Sequence, residues 1–193
     1  MRSSLALSLA LASLACASEA KDRSTPANAF ARLAPCVDRA EARCVYGELD
    51  RESRWSIQTI HKLLSEMRAL VDGAYPAERR IGAAVYGAWE SAAAAADDAG
   101  TFAAFCERRA CVAEIAAGFG AVVSARELPR GRAEVTTTRG RTFVLESADG
   151  AWGLATYREE LAAEKIRLAD KIVQVRIDAA AFEEQRRATG AGR

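Results

Sequence analysis

The sequence predicts an α+β fold, in which N-terminal helices pack on a small curved antiparallel sheet and a long C-terminal helix follows. Three observations predict it. Residues 132–157 alternate between apolar and polar side chains in three short stretches, with glycine-containing turns between them. Most of the chain before them has apolar residues at helical spacing, and residues 158–187 contain neither Gly nor Pro. Because three short strands with one apolar face are not stable alone in water, we expect the helices to cover that face.

The composition is that of a globular chain with balanced charge. Half of the 193 residues are hydrophobic, and 27 basic residues stand against 26 acidic ones. A chain without excess charge has no field that steers it onto nucleic acid or an anionic membrane surface. We therefore expect no nucleic-acid partner.

The first residues have the features of a secretory signal. Met1-Arg2 gives a positive start, and the uncharged apolar run from Leu5 to Ala15 has 11 residues, too few to span a bilayer. The run ends at Ser13-Leu14-Ala15-Cys16, which resembles the bacterial lipobox. The resemblance implies a signal peptide over residues 1–15, lipidation of Cys16 and a membrane anchor.

The residue after this cysteine bears on where the mature protein lies. Ala17, not Asp, follows Cys16. By resemblance to bacterial sorting rules, this favours the periplasmic face of the outer membrane. Ala15-Cys16-Ala17 also fits the A-x-A pattern of ordinary cleavage, so the alternative is a soluble periplasmic or secreted protein.

The chain after the leader predicts a tether and then two short helices. Residues 16–25 are polar and are expected to form the tether. Residues 26–188 are expected to form a single domain, and residues 189–193 a tail. Thr25-Pro26 predicts a helix start, with Thr as the cap and Pro in the first turn. The apolar face that follows consists of Phe30, Leu33, Ala34 and Val37. A second short helix is expected over residues 44–49.

Four cysteines remain in the mature chain when Cys16 is set aside, and an even number suits an oxidising compartment. Cys36 and Cys44 would lie ~12 Å apart on one straight helix, too far to bridge, so we expect a helix-turn-helix that a disulfide closes. Cys106 and Cys111 point to different faces of a regular helix, and a bond between them requires a break near residues 108–110. Without that break they pair with Cys36 or Cys44. The sequence leaves the three possible connectivities open.

Three longer helices are expected before the sheet. Ser53 is expected to cap the first, which ends at Gly73 and Pro76. Its apolar stripe consists of Trp55, Ile60, Leu63, Leu64, Met67, Leu70 and Val71. The second is expected over residues 77–96, where an alanine run has strong helix propensity. Thr101 is expected to cap the third, which Gly118 ends.

The sheet and the last helix complete the expected architecture. Residues 121–126 predict a strand, and the three strands of residues 132–157 share one apolar face. That face includes Val135, Thr137, Phe143, Leu145, Trp152 and Leu154. Residues 158–187 predict one helix of ~45 Å, whose far end projects or docks on a partner. Residues 172–177 also fit a strand, but helix-forming residues flank them on both sides.

Three motifs carry a family resemblance. They are TPANAFARL at residues 25–33, LDRESRWSI at residues 49–57 and DGAWGLATYREEL at residues 149–161. With this order of helices and sheet, they resemble the NTF2-like (SnoaL-like) cone fold of small lipoproteins of myxobacterial type. The resemblance implies a curved sheet around a pocket whose mouth faces the first helices. The four mature cysteines and the long terminal helix depart from that pattern, and the alternative is a helical domain with a small accessory sheet.

The residues that carry chemistry are few. The only histidine, His61, has Leu64 and Ser65 at the positions where a helical metal site needs a carboxylate, so no metal is expected. Cys106 and Cys111 do not have the CxxC spacing of redox or zinc motifs, and no phosphate-binding glycine loop occurs, so no cofactor is expected. We expect no catalytic residues.

A pocket is the remaining candidate for a functional site. Its candidate residues are Tyr46, Asp50, Trp55, His61 and Tyr157. Asp50 and Trp55 belong to a polar cluster that either lines a pocket mouth or caps a helix whose Trp enters the core. Cone-fold isomerases need a carboxylate base and a tyrosine donor in an apolar pocket, which Asp50, Tyr46 and Tyr157 would supply.

The sequence therefore favours a non-enzymatic lipoprotein domain. We expect it to be anchored in the membrane by a lipid and to bind an unknown protein partner or a small apolar ligand. The alternative is a cone-fold isomerase or cyclase with a carboxylate and a tyrosine in its pocket.

Overall fold

The structure is a computed structural model that describes residues 22–80 and 82–190. The predicted signal peptide, Cys16 and residues 191–193 lie outside the described residues, as does Ile81. Residues 22–25 form the described end of the predicted tether, and they lie against the domain. The Arg23 carbonyl accepts a 2.9 Å hydrogen bond from the backbone N–H of Trp152.

The described residues form the α+β fold that the sequence predicts, with helices first, then a sheet, then a long helix. The helices before the sheet are α1 Pro26–Ala31, α2 Ala34–Asp38, α3 Ala42–Glu48, α4 Arg51–Ala74, α5 Gly82–Tyr86, α6 Asp98–Arg109 and α7 Cys111–Gly118. The strands and the last helix are β1 Val122–Leu128, β2 Arg132–Thr137, β3 Thr142–Ala148, β4 Ala151–Leu154 and α8 Arg158–Gly190. Short 3-10 turns occupy Ala77–Arg79, Gly87–Ala92 and Pro129–Gly131.

The sheet has four antiparallel strands in the order β1-β2-β3-β4. Val135 pairs with Phe143, and Leu145 pairs with Leu154, so the apolar side chains of neighbouring strands lie side by side. All four are at most 3% exposed, and the predicted apolar face is therefore confirmed. The strand predicted over residues 121–126 is confirmed as β1, an edge strand whose side chains are mostly exposed.

Helix α1 covers the apolar face of the sheet. Thr25 caps it as predicted, because its hydroxyl accepts a hydrogen bond from the Asn28 N–H. Phe30 lies with its ring centre 4.9 Å from Phe143 of β3 and 5.1 Å from Phe119. The space between the sheet and the first helix is therefore filled by aromatic rings.

Helices α4 and α8 form a parallel pair along the side of the domain. The contacts between them follow the same order in both helices. Lys165 of α8 lies over Trp55 of α4, and eleven residues later in each helix Arg176 forms a salt bridge with Glu66. Residues of α8 at helical spacing are buried, and they are Leu161, Leu168, Ile172, Val175 and Ala179. The single C-terminal helix is confirmed, and a strand at residues 172–177 is wrong.

Several local predictions are corrected by the structure. The helix predicted over residues 77–96 is instead two 3-10 turns around the five-residue α5. Gly87 has φ +59°, a left-handed conformation that interrupts any regular helix there. The helix propensity of the alanine run does not outweigh this break, because alanine offers little to pack.

Two predicted caps are also wrong. Asp50, not Ser53, caps α4, and Asp97, not Thr101, caps α6. In both cases an aspartate carboxylate stands three or four residues earlier and accepts the free N–H groups of the first turn. Ser53 and Thr101 are instead buried inside the first turn of each helix.

Candidate functional site

The candidate site begins at Asp50, where α4 starts. Asp50 is 4% exposed, and its carboxylate accepts hydrogen bonds from the N–H groups of Glu52 at 2.9 Å and Ser53 at 3.2 Å. The Ser53 hydroxyl donates to its second oxygen. Both oxygens are therefore bound by the first turn of the helix, and this carboxylate has a structural role in starting α4.

Sheet and helix meet closely at the same point. The Asp50 N–H donates a 2.9 Å hydrogen bond to the Leu154 carbonyl at the end of β4. A Cβ atom added to Gly153 would lie 2.7 Å from backbone atoms of Asp50 and Leu49. Only glycine lets β4 approach the start of α4 this closely, and this approach positions the surface beside Asp50.

That surface is an open groove of about 750 Å³ between α3 and the first two turns of α4. Its lining residues are Tyr46, Gly47, Arg51, Glu52, Arg54, Trp55 and Gln58. We call it the α3–α4 groove. Tyr46 and Trp55, two of the predicted pocket residues, share it, and Asp50 lies in a smaller groove on the other side of Arg54.

Trp55 presents its ring at the surface. Its side chain is 57% exposed, and the Lys165 ammonium of α8 lies 4.4 Å from the ring centre in a cation–π contact. The prediction that Trp55 belongs to the buried stripe is wrong. The buried residues Ile57, Ile60 and Leu64 share one face of α4, and Trp55 lies at about 140° from Ile60 around the helix.

Arg54 is a polar residue of the groove that the predicted pocket residues do not include. Its Nε atom is buried, and within the described part of the chain it has no hydrogen-bond partner. Its side chain lies between the α3–α4 groove and the smaller groove that contains Asp50 and Trp152. An unpaired buried N–H carries a desolvation cost.

Tyr46 supplies a hydroxyl at the same groove. Burial raises the pKa of Tyr46, and the carboxylate of Asp98 adds to the effect, whereas the hydrogen bond with Gln58 and then the charge of Arg54 oppose it. The phenol is therefore protonated at neutral pH and is able to donate a hydrogen bond. Gln58 and Arg51 complete the polar rim, and Arg51 bonds Asp149 at 2.7 Å.

His61 and Tyr157 lie away from this groove. The Nδ1 atom of His61 and the Thr101 hydroxyl are joined by a 2.9 Å hydrogen bond that links α4 to α6. Tyr157 is 2% exposed, its hydroxyl donates to the Cys111 carbonyl at 3.2 Å, and burial raises its pKa. In the described part of the chain, no hydrogen bond joins Asp50 or His61 to Tyr46 or Tyr157.

A second, more apolar cleft of about 460 Å³ lies between the end of α4, α5 and α8. Tyr75, Val85, Val175 and Phe182 form its apolar walls, with Lys171 at its edge. Burial raises the pKa of Tyr75 to about 12, with the nearby Asp178 carboxylate contributing. The sequence gives no local signal for this cleft, because Phe182 meets Tyr75 only when α4 and α8 lie parallel.

The cysteines divide into two pairs. Cys36 and Cys44 form the predicted disulfide across α2 and α3, with their Cα atoms 5.2 Å apart. Cys106 and Cys111 are buried free thiols on either side of Ala110. Ala110 has φ +55°, so the helix break that a Cys106–Cys111 contact requires is present. Within residues 22–80 and 82–190, no group of three His, Cys, Asp or Glu side chains is placed to hold a metal ion.

Comparisons with known proteins do not assign the chain to a family. No protein-family model matches the chain, and neither a curated protein nor a solved structure gives a match. None of the helices that the structure describes is both long and apolar enough to cross a bilayer.

Proposed function

We propose that this chain is a non-enzymatic lipoprotein domain, tethered to the periplasmic face of the outer membrane through Cys16, that binds a protein partner at the α3–α4 groove. The observation that carries the binding role is the grouping of Tyr46, Arg54 and Trp55 in this groove. Tyr, Arg and Trp are the residue types that contribute most binding energy at protein interfaces.

The location is supported by the leader and by the cysteines. Residues 5–15 fit a signal h-region, and Ser13-Leu14-Ala15-Cys16 resembles a lipobox. The Cys36–Cys44 disulfide supports an oxidising compartment, because such bonds are rare in the cytosol. The NTF2-like resemblance remains a prediction.

Trp55 and Arg54 have different roles at this surface. Trp55 offers a rigid aromatic face on a regular helix, so little conformational entropy is lost when a partner packs on it. Arg54 lines the groove, and its guanidinium offers charged N–H donors to a partner carbonyl or carboxylate. We therefore propose a partner segment that places an apolar side chain on Trp55 and an acceptor oxygen at Arg54.

Site-specific photocrosslinking in cells tests this proposal. A photoreactive benzoylphenylalanine replaces Gln58 in the α3–α4 groove, and a control replaces Val123, which is 65% exposed on β1. We expect a discrete protein adduct from position 58 alone, lost when Trp55→Ala is added. Adducts that are equal from both positions, or unaffected by Trp55→Ala, would contradict the binding role.

A small apolar ligand is a second candidate, and the cleft lined by Tyr75, Val85, Val175 and Phe182 favours it. Displacement of an environment-sensitive fluorophore such as 1-anilinonaphthalene-8-sulfonate by a fatty acid tests it. Binding that Val85→Trp abolishes would support this ligand role, and no saturable binding would exclude it. The isomerase alternative has less support, because both oxygens of Asp50 are bound within its own helix turn.

A further inference from the structure

Cys106 and Cys111 stand on either side of a helix break. Helix α6 ends at Arg109 and α7 begins at Cys111, with Ala110 between them in the left-handed region at φ +55°, ψ +33°. In an uninterrupted helix, residues five apart lie about 140° apart around the axis, and their side chains point to different faces. The break turns both cysteines toward the same part of the core.

The two thiols are neighbours inside that core. Cys106 is 3% exposed and Cys111 is 0% exposed. The Cys106 side chain is hydrogen-bonded to that of Cys111, and burial raises the pKa of the Cys106 thiol, with the Cys111 contact adding to it. A raised pKa disfavours the thiolate, so neither a nucleophilic nor a metal-binding role suits the Cys106 thiol.

We propose that Cys106 and Cys111 form a second intramolecular disulfide, which joins α6 to α7 across Ala110. Cys36 and Cys44 are bonded to each other, so neither competes for these thiols. The occurrence of this bond in the cell rests on the proposed location, because an oxidant is needed.

The reaction is a thiol–disulfide exchange with a disulfide oxidant. One cysteine thiolate attacks the oxidant's disulfide bond, forms a mixed disulfide and releases one oxidant thiol. The second cysteine then attacks the mixed disulfide, closes the Cys106–Cys111 bond and releases the second oxidant thiol. The two cysteines lose two electrons and two protons in total, and the oxidant gains them. Because both sulfurs are shielded in the folded domain, the exchange takes place before folding is complete.

Peptide mapping tests the pairing directly. The mature chain is reduced, refolded in a mixture of oxidised and reduced glutathione, alkylated under denaturing conditions and digested with trypsin. Trypsin cuts at Arg108 and Arg109, so a Cys106–Cys111 bond links the peptides of residues 81–108 and 110–126. We expect this linked pair at the sum of the two peptide masses less two hydrogens. Alkylated Cys106 and Cys111, or links from them to the peptides of Cys36 and Cys44, would overturn the proposal.

A matched variant moves one thiol to the next position. Glu107 is exposed, so Cys106→Ala with Glu107→Cys keeps the number of cysteines but places one on the solvent face of α6. We expect no linked pair in this variant and alkylation of residue 107 in the native state. An equally abundant linked pair in the variant would show that chain proximity alone forms the bond, and would overturn the role of the helix break.

The full-length chain isolated from the cell envelope separates this inference from the proposed location. A linked pair in the refolded chain and in the chain from cells supports both the pairing and the proposed location. A linked pair after refolding, but free thiols in the chain from cells, supports the pairing and contradicts an oxidising location.

Discussion

Asp50 shows how one side chain connects the sheet to the helices. Its N–H bonds the Leu154 carbonyl of β4, while its carboxylate caps α4 and receives the Ser53 hydroxyl. Loss of a cap costs about 1 kcal/mol, and an unpaired buried hydroxyl costs about 1–3 kcal/mol more. Asp50→Ala should therefore lower the free energy of unfolding by about 2–4 kcal/mol in urea denaturation. Asp50→Asn, which still caps, should cost clearly less, and equal losses would contradict the cap.

Gly153 is required by the close approach of β4 and α4. Gly153→Ala places a Cβ 2.7 Å from the Asp50 backbone, and backbone shifts of this kind cost about 1–3 kcal/mol. Gly73 in α4 has open space around its Cβ position. Gly73→Ala should therefore be neutral or stabilise by about 0.5–1 kcal/mol through helix propensity. Similar melting temperatures for the two variants would contradict the close approach.

Tyr75 gives the stability of the domain a dependence on alkaline pH. Burial raises its pKa from 10.0 to about 12, so the folded state holds the phenol proton more tightly than the unfolded chain. This stabilising contribution is complete below pH 10 and is lost as the pH rises toward 12. In denaturant titrations at several pH values, wild type should lose more stability than Tyr75→Phe between pH 10 and pH 12. Parallel curves for the two proteins would contradict the raised pKa.

Residue-scale features were the least predictable from the sequence. The caps at Asp50 and Asp97 were missed because Asp, Ser and Thr are all good caps, and hydrogen-bond geometry selects between them. The exposure of Trp55 had a usable signal, since it is out of register with Ile57, Ile60 and Leu64 on the helix. Only the large size of the Trp55 side chain suggested that it is buried.

At the scale of elements, α8 carries two faces with different roles. Its buried face packs along α4, and its outer face exposes Ile166, Val173 and Ile177 at 51–62%. Period and composition predicted this helix, because residues 158–187 contain neither Gly nor Pro and helix-forming residues flank the strand-like segment at residues 172–177. The helix predicted over residues 77–96 is interrupted at Gly87, whose φ of +59° no regular helix allows, although Ala92 and Ala93 are buried.

Two isoleucines of α8 test this division. Ile172 is 2% exposed and Ile177 is 58% exposed, on the same helix and with the same side chain. Ile172→Ala should cost about 2–5 kcal/mol through lost burial and a cavity, whereas Ile177→Ala should change stability by about 0.5 kcal/mol or less. Chemical denaturation measures both, and equal costs would show that the packing of α8 on α4 is not as described.

At the scale of the whole molecule, the sequence predicted the layers but not the surfaces. The alternation in residues 132–157 predicted the strands and their buried face, because one face of each strand must leave water. The α3–α4 groove joins residues from two helices, and the cleft at Tyr75 and Phe182 joins residues about 100 positions apart. Such surfaces depend on how elements pack, and local periodicity carries no information about that.

We propose a domain that disulfide bonds stabilise and that a lipid on Cys16 holds at the membrane. Mass spectrometry of the amino-terminal peptide of the mature protein, isolated from membranes, tests it most directly. We expect a peptide that begins at Cys16 and carries a diacylglyceryl group. A mature chain that begins at Ser18 without lipid, as cleavage at Ala15-Cys16-Ala17 would give, would contradict it.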